Sequence, residues 1–195
     1  MGDSITEGSG TTTSYIGYIV NRTGVLARNY GRSNTAIAER SASVAENDMV
    51  NRYQAMADNA DYITIFGGTN DHGNNIPIGQ WGDRVKTTLY GAMTILCEGL
   101  IAKYIGKKIG FILPLPKYNN DTDYSYPNES FMPYIECIKD VCKRYSIPYL
   151  DLYTGSNIAP KIADVRTSLI PDGLHPNDVG HNLISFKIQR FLESL

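Results

Sequence analysis

The stretch DYITIFGGTND, residues 61–71, carries the strongest structural signal in the chain. Its first six residues are mostly apolar or β-branched, and two glycines end the run. Such a run is typical of a β-strand that is covered on both faces, as strands are in a parallel sheet. Ligands bind at the carboxyl ends of strands in open α/β sheets, so we expect Thr69, Asn70 and Asp71 to lie at a site.

The rest of the chain alternates short apolar runs with longer helical patterns, which predicts repeated strand–helix–strand units. Further strands are predicted at 25–30, 109–113 and 147–152. Helices are predicted at 14–22, 43–57, 83–104 and 131–145, and a last one after Pro176 whose apolar residues share one face. This order of elements indicates an α/β fold.

Length and composition indicate a single globular domain, residues 1–195, of which 42% are hydrophobic and 19% charged. The net charge is −2 and no run of like charge stands out, which argues against nucleic-acid and polybasic membrane surfaces. No apolar run reaches the roughly 20 residues of a membrane span. Cys97, Cys137, Cys142 and the three histidines lack metal-ligand spacing, so we expect no metal and no other cofactor.

Two further segments carry residues suited to nucleophilic catalysis. Near the start, Ser4 lies in the glycine-flanked turn GDSITEG, residues 2–8. Near the end, Asp172 stands three residues before His175, close enough to hold the imidazole Nδ1–H and fix its tautomer. After the strand at 61–66, the Asn70 amide can donate to an oxyanion. Taken singly, each segment is more often an ordinary turn or a helix cap.

Taken together, the segments resemble the motifs of the SGNH (GDSL) hydrolase family and occur in the family's order. They are GDS at 2–4, NYG at 29–31, GTND at 68–71 and DGLHP at 172–176, and they span nearly the whole chain. The resemblance implies a flavodoxin-like three-layer sandwich built on a parallel sheet. It also implies an enzyme that hydrolyses ester bonds.

By the same resemblance, Ser4 would be the nucleophile, His175 the base, and Asp172 the residue that orients His175. The backbone N–H groups of Ser4 and Gly31 and the side chain of Asn70 would form the oxyanion hole. The residues themselves suggest the same roles, since this is the pattern of a serine hydrolase triad with a nest of donors.

Two features depart from the family pattern. A buried central strand runs into Gly-Asp-Ser in the family, yet only Met1 precedes Gly2 here. We therefore expect the first, central strand to be missing, either by N-terminal truncation or because another segment or protomer supplies it. Exposed sheet edges would then favour a homo-oligomer. Many relatives also have Gly where this chain has Asn34, and Asn tolerates left-handed backbone angles.

The substrate is indicated by the segment 117–133, which follows a strand and mixes aromatic with polar residues. Aromatic faces with polar neighbours suit sugars, so we expect a carbohydrate acetylesterase. The residues expected to line its substrate site are Asp71, His72, Tyr118, Tyr124 and Tyr126. A lysophospholipase or thioesterase, and a catalytically silent binding module, remain alternatives. Cytoplasmic and secreted locations both stay open.

Overall fold

The computed structural model describes residues 1–41, 43–118 and 130–195. Three parallel strands form a sheet in the order β1 (Tyr62–Phe66), β2 (Lys108–Ile112) and β3 (Tyr149–Leu150). Ile63 of β1 pairs with Ile109 of β2, and Phe111 of β2 pairs with Tyr149 of β3. The predicted parallel α/β sheet is therefore confirmed.

Nine α-helices are present in the described ranges. They are α1 (Ser4–Glu7), α2 (Tyr15–Thr23), α3 (Met49–Arg52), α4 (Thr69–Gly73), α5 (Leu89–Lys103), α6 (Met132–Arg144), α7 (Leu152–Gly155), α8 (Ala163–Leu169) and α9 (Asp178–Ser194). Short 3-10 turns cover Ala45–Asn47 and Tyr53–Ala55. No helix in this part of the chain combines the length and the apolar character needed to cross a membrane.

Helices cover both faces of the sheet because successive strand residues point to opposite sides. On one face, Ile65 and Phe111 pack in a buried cluster with residues of α3, α5 and α6. On the other face, Phe66 and Ile112 pack with residues of α1, α2 and α9. The result is the expected three-layer sandwich.

Met1 and Gly2 occupy the position of a central strand. Gly2 forms parallel bridges to Gly31 on one side and to Phe66 on the other. The Gly2 N–H donates to the Tyr30 carbonyl at 3.3 Å, and the Phe66 N–H donates to the Met1 carbonyl at 3.0 Å. Two residues thus connect the Tyr30–Gly31 segment to β1.

The prediction of a strand at 25–30 is wrong. Residues 24–30 have no strand assignment, and Leu26 is 99% exposed. The physical reason is that Met1 and Gly2 reach only Tyr30 and Gly31. Residues 25–29 therefore have no neighbouring strand to pair with in the described part of the chain.

The predicted helix at 43–57 is broken into α3 and two 3-10 turns. Asp48 interrupts it with extended backbone angles (φ −73°, ψ 148°), because its buried carboxylate accepts the N–H groups of Ala36 and Arg40. The other helix predictions at 14–22 and 131–145 match α2 and α6. Only Leu89–Lys103 of the prediction at 83–104 is helical, and β3 is limited to two residues.

Candidate active site

Ser4 lies at the first position of α1, and Asp3 joins it to the Met1–Gly2 segment. Asp3 caps this helix, since its carboxylate accepts the Ile5 N–H at 3.0 Å. A Cβ on Gly2 would lie 2.0 Å from the Thr6 hydroxyl oxygen, so only glycine fits before the turn. Burial raises the pKa of Asp3 to about 7, and its side chain is 1% exposed. These contacts fix the backbone that carries the Ser4 hydroxyl.

The structure brings Ser4, His175 and Asp172 together across 171 residues of chain. Ser4 Oγ lies 2.9 Å from His175 Nε2, and His175 Nδ1 lies 2.7 Å from Asp172 Oδ2. With Asp172 ionised, the Nδ1–H donates to the carboxylate and leaves Nε2 to accept the Ser4 hydroxyl proton. The arrangement is that of a nucleophile, a general base and an orienting acid.

Asp172 is itself fixed by the turn that it begins. Its Oδ1 accepts the N–H groups of Leu174 at 2.8 Å and His175 at 2.7 Å. Burial opposes the charge on Asp172, but these two bonds and the His175 ring outweigh burial and hold the pKa of the carboxyl below its usual value. Asp172 is therefore an anion at neutral pH and stabilises an imidazolium beside it.

Two of the expected oxyanion donors are the Ser4 N–H and the Asn70 amide. The Ser4 N–H is at the start of α1, where no intrahelical partner exists, and it donates to no acceptor in the described residues. Asn70, in the first turn of α4, donates one N–H of its amide to the Thr35 carbonyl at 2.9 Å. That bond orients the amide and leaves its second N–H for another acceptor.

The N–H of Gly31, the third expected donor, already has an acceptor in this structure. Its N–H donates to the Asn29 carboxamide oxygen at 2.7 Å, while the Asn29 amide donates to the Thr6 carbonyl at 2.8 Å. A Cβ on Gly31 would lie 2.1 Å from the Glu7 nitrogen, so the glycine permits a close approach to α1. An oxyanion at this N–H must share it with Asn29 or displace the Asn29 oxygen.

Asp71 lies in the interior, which corrects the expectation that it lines the substrate site. Its side chain is 0% exposed, and its two oxygens accept the N–H groups of Ile37 at 2.8 Å and Ala38 at 2.9 Å. Burial raises the pKa of Asp71 to about 6, against the effect of these bonds. The residue thus holds the loop that carries Thr35, and it supports Asn70 indirectly.

Asn34 adopts the left-handed conformation expected of it, with φ +56°. Its side-chain oxygen accepts an N–H of Arg40 at 3.2 Å. At this position an asparagine therefore adopts a left-handed backbone conformation that usually favours glycine.

The other expected substrate residues differ in their surroundings. Tyr118 adjoins the triad, since its N–H donates to the Gly173 carbonyl at 2.8 Å and the Arg166 guanidinium lies 4.2 Å from the centre of its ring. His72 packs on Phe131 with ring centres 4.6 Å apart. Tyr124 and Tyr126 lie outside the described residues.

Two residues that the sequence did not single out hold the start of α9, the helix that follows His175. Asp178 accepts bonds from the Thr11 hydroxyl and from the N–H groups of Thr12 and Thr13, which lower the pKa of Asp178 to about 2. These bonds tie residues 11–13 to the start of α9. No local motif marks Asp178, because its partners are more than 160 residues away in the sequence.

His181 is the second such residue. It is fully buried and its Nδ1 accepts the Tyr15 N–H at 3.1 Å. Burial lowers the pKa of His181 to about 4, with the nearby Asp178 opposing this shift and His175 adding to it. The imidazole is therefore neutral at neutral pH, and it joins α9 to the start of α2.

Comparisons with known proteins bear on the family and the fold of the chain. A model of the GDSL-like lipase/acylhydrolase family matches residues 1–183 of the chain. No curated protein matches it. A solved structure of a protein from Lactobacillus plantarum is 32% identical and superposes with a TM-score of 0.89, covering 100% of this chain and 94% of that chain.

More distant structures share the fold. An acetyl xylan esterase from Geobacillus stearothermophilus is 18% identical with a TM-score of 0.69, over 97% of this chain and 90% of that one. A lipase/acylhydrolase from Enterococcus faecalis is 19% identical with a TM-score of 0.64, over 99% of this chain and 93% of that one. At such identities the likeness concerns the fold alone.

Proposed function

This chain belongs to the GDSL-like lipase/acylhydrolase family, and we propose that it is a serine esterase that uses Ser4, His175 and Asp172 to remove acetyl groups from a carbohydrate. The observation that carries the proposal is the chain of contacts from Ser4 Oγ to His175 Nε2 at 2.9 Å and from His175 Nδ1 to Asp172 Oδ2 at 2.7 Å. Both distances lie in the range of good hydrogen bonds.

In the proposed reaction, Ser4 Oγ attacks the ester carbonyl carbon while His175 Nε2 takes the hydroxyl proton. The carbonyl oxygen becomes an oxyanion, which the Ser4 N–H, the Gly31 N–H and the Asn70 amide stabilise. When the tetrahedral intermediate collapses, the ester C–O bond breaks and His175 gives its proton to the leaving alcohol. Water, deprotonated by His175, then attacks the acyl-enzyme and releases the acid and free Ser4.

The acetylated carbohydrate is favoured by three observations. The Tyr118 N–H donates to the Gly173 carbonyl, in the turn between Asp172 and His175, at 2.8 Å, and aromatic rings beside polar groups suit sugars. A structural relative with the same fold is named as an acetyl xylan esterase. A short acyl group also fits a triad that lies at the surface, with the Asp172 side chain 56% exposed.

This proposal is tested by measuring initial rates on two sets of substrates. The first set is p-nitrophenyl esters of increasing acyl chain length, and the second is acetylated xylan and acetylated monosaccharides. We expect the wild-type protein to prefer acetyl esters and to release acetate from acetylated sugars. Ser4→Ala should abolish both activities, whereas Ser194→Ala, an exposed serine at the end of α9, should leave them unchanged. A preference for long acyl chains would instead favour a lysophospholipase or thioesterase, and equal rates for wild type and Ser4→Ala would refute the proposal.

A further inference from the structure

Arg52, the last residue of α3, donates to three backbone carbonyls. Its Nε donates to Asn47 at 2.7 Å, its Nη1 to Tyr30 at 2.8 Å and its Nη2 to Gly2 at 2.7 Å. The side chain thus joins the two segments that carry Ser4 and Gly31. It bridges chain positions that are 22 and 50 residues away from it.

The Arg52 guanidinium belongs to none of the ion pairs among the described residues. Arg40, in contrast, forms an ion pair with the buried Asp48 at 2.9 Å. The Arg52 guanidinium therefore directs its positive charge at peptide carbonyls. Because the side chain is half-buried, water screens this charge less than it would at an exposed site.

The Tyr30 carbonyl and the Gly31 N–H belong to one planar trans peptide and point in opposite directions. A cationic donor on the carbonyl draws electron density along this peptide and makes its N–H a stronger donor on the other side. The Gly31 N–H bond to Asn29 is 2.7 Å long, at the short end for N–H···O bonds.

We propose that Arg52 is a positioning residue of the oxyanion hole, which fixes the Tyr30–Gly31 peptide against Gly2 and polarises it so that the Gly31 N–H binds negative charge more strongly. This inference rests on the proposed esterase function for its catalytic consequence. Arg52 itself touches neither the substrate nor the triad.

Polarisation favours the oxyanion over the neutral substrate carbonyl, because only the oxyanion carries a full charge. The loss should therefore fall on kcat and leave KM nearly unchanged. Deleting a whole oxyanion donor costs about 100- to 1,000-fold in kcat, and weakening one donor should cost about tenfold. Arg52→Lys keeps the positive charge but lacks the planar guanidinium with its several N–H donors, so we expect about a threefold loss of kcat in that variant.

The test compares Arg52→Met and Arg52→Lys with Arg40→Lys as the matched control. Arg40 contacts Asp48 and Asn34 but neither Tyr30 nor Gly2, so its variant should keep kcat within about twofold of wild type. Steady-state kinetics on p-nitrophenyl acetate give kcat and KM, and thermal unfolding shows that each variant is folded.

A second readout does not depend on turnover. In ¹H–¹⁵N spectra of the labelled protein, the Gly31 amide signal should move upfield in Arg52→Met, less in Arg52→Lys, and not in Arg40→Lys. A purely structural role would lower the unfolding temperature without this graded pattern. If Arg52→Met does not fold, Arg52→Lys decides by the same two readouts.

An unchanged kcat in a folded Arg52 variant, a loss confined to KM, or an unmoved Gly31 signal would overturn the inference. These outcomes are distinct from failure of the proposed function. If wild type hydrolyses no ester, the esterase proposal fails, while the Gly31 signal still reports whether Arg52 polarises that peptide.

Discussion

The neutral, buried His181 should make the protein lose stability in mild acid. Protonating the ring in the folded state places a charge in the interior, and the bond in which Nδ1 accepts the Tyr15 N–H at 3.1 Å is lost. The ring is fully buried, and no hydrogen-bond partner of its Nε2 lies among the described residues. Burial, the largest cause, lowers the pKa of His181 from 6.5 to about 4.

The sign of the effect follows from linkage. The unfolded chain binds the His181 proton more tightly than the folded protein does. The contribution of neutral His181 to the free energy of unfolding is therefore present above the unfolded pKa of 6.5 and is lost as the pH falls toward about 4. By about pH 4.5 this should cost about 2 to 3 kcal/mol of the free energy of unfolding. That is a large share of the 5–15 kcal/mol that is typical of proteins.

Urea unfolding of wild type and His181→Asn at about pH 7.5 and about pH 4.5 measures this cost. The asparagine oxygen can take the place of Nδ1 as the acceptor for Tyr15, and it does not titrate. Burial raises the pKa values of Asp3 and Asp71 to about 7 and about 6, which gives the opposite pH dependence, but both proteins contain these groups and their effect cancels. If wild type and His181→Asn lose the same free energy of unfolding between the two pH values, the stability loss in acid does not come from His181.

Substitutions at three further positions test other parts of the site. Asn70→Ala should lower kcat about 100- to 1,000-fold and leave the unfolding temperature nearly unchanged, as measured by ester hydrolysis and calorimetry. Asp172→Asn should lower kcat about 1,000- to 10,000-fold, because its amide favours the tautomer in which His175 Nε2 carries the proton and cannot take one from Ser4; kinetics near wild type would contradict this orientation. Asn34→Ala should cost about 1 kcal/mol in urea unfolding, since alanine resists φ +56°, whereas Asn34→Gly should be within about 0.5 kcal/mol of wild type.

The sequence predicted those elements whose stability depends on local pattern and general burial. The run at 61–66 became β1, and the amphipathic stretch at 131–145 became α6. The predictions at 25–30 and 43–57 failed for long-range reasons. Residues 25–29 of the first segment have no neighbouring strand among the described residues. The second segment is interrupted because the buried Asp48 accepts the N–H groups of residues 36 and 40.

The candidate site shows the same division. Ser4, Asn70, Asp172 and His175 lie in short motifs whose spacing points to their chemistry. Arg52 has no such motif, because its contribution depends on which carbonyls the folded chain brings to its guanidinium.

In the proposed mechanism, His175 activates Ser4 as the nucleophile across 2.9 Å. Incubation with a fluorophosphonate, followed by intact mass spectrometry and peptide mapping, tests it directly. The wild-type protein should gain one phosphonyl group on the peptide that contains Ser4, His175→Ala should react far more slowly, and Ser4→Ala should not react. Ser4 is not the nucleophile if the folded wild-type protein stays unlabelled or if the label is on a different residue.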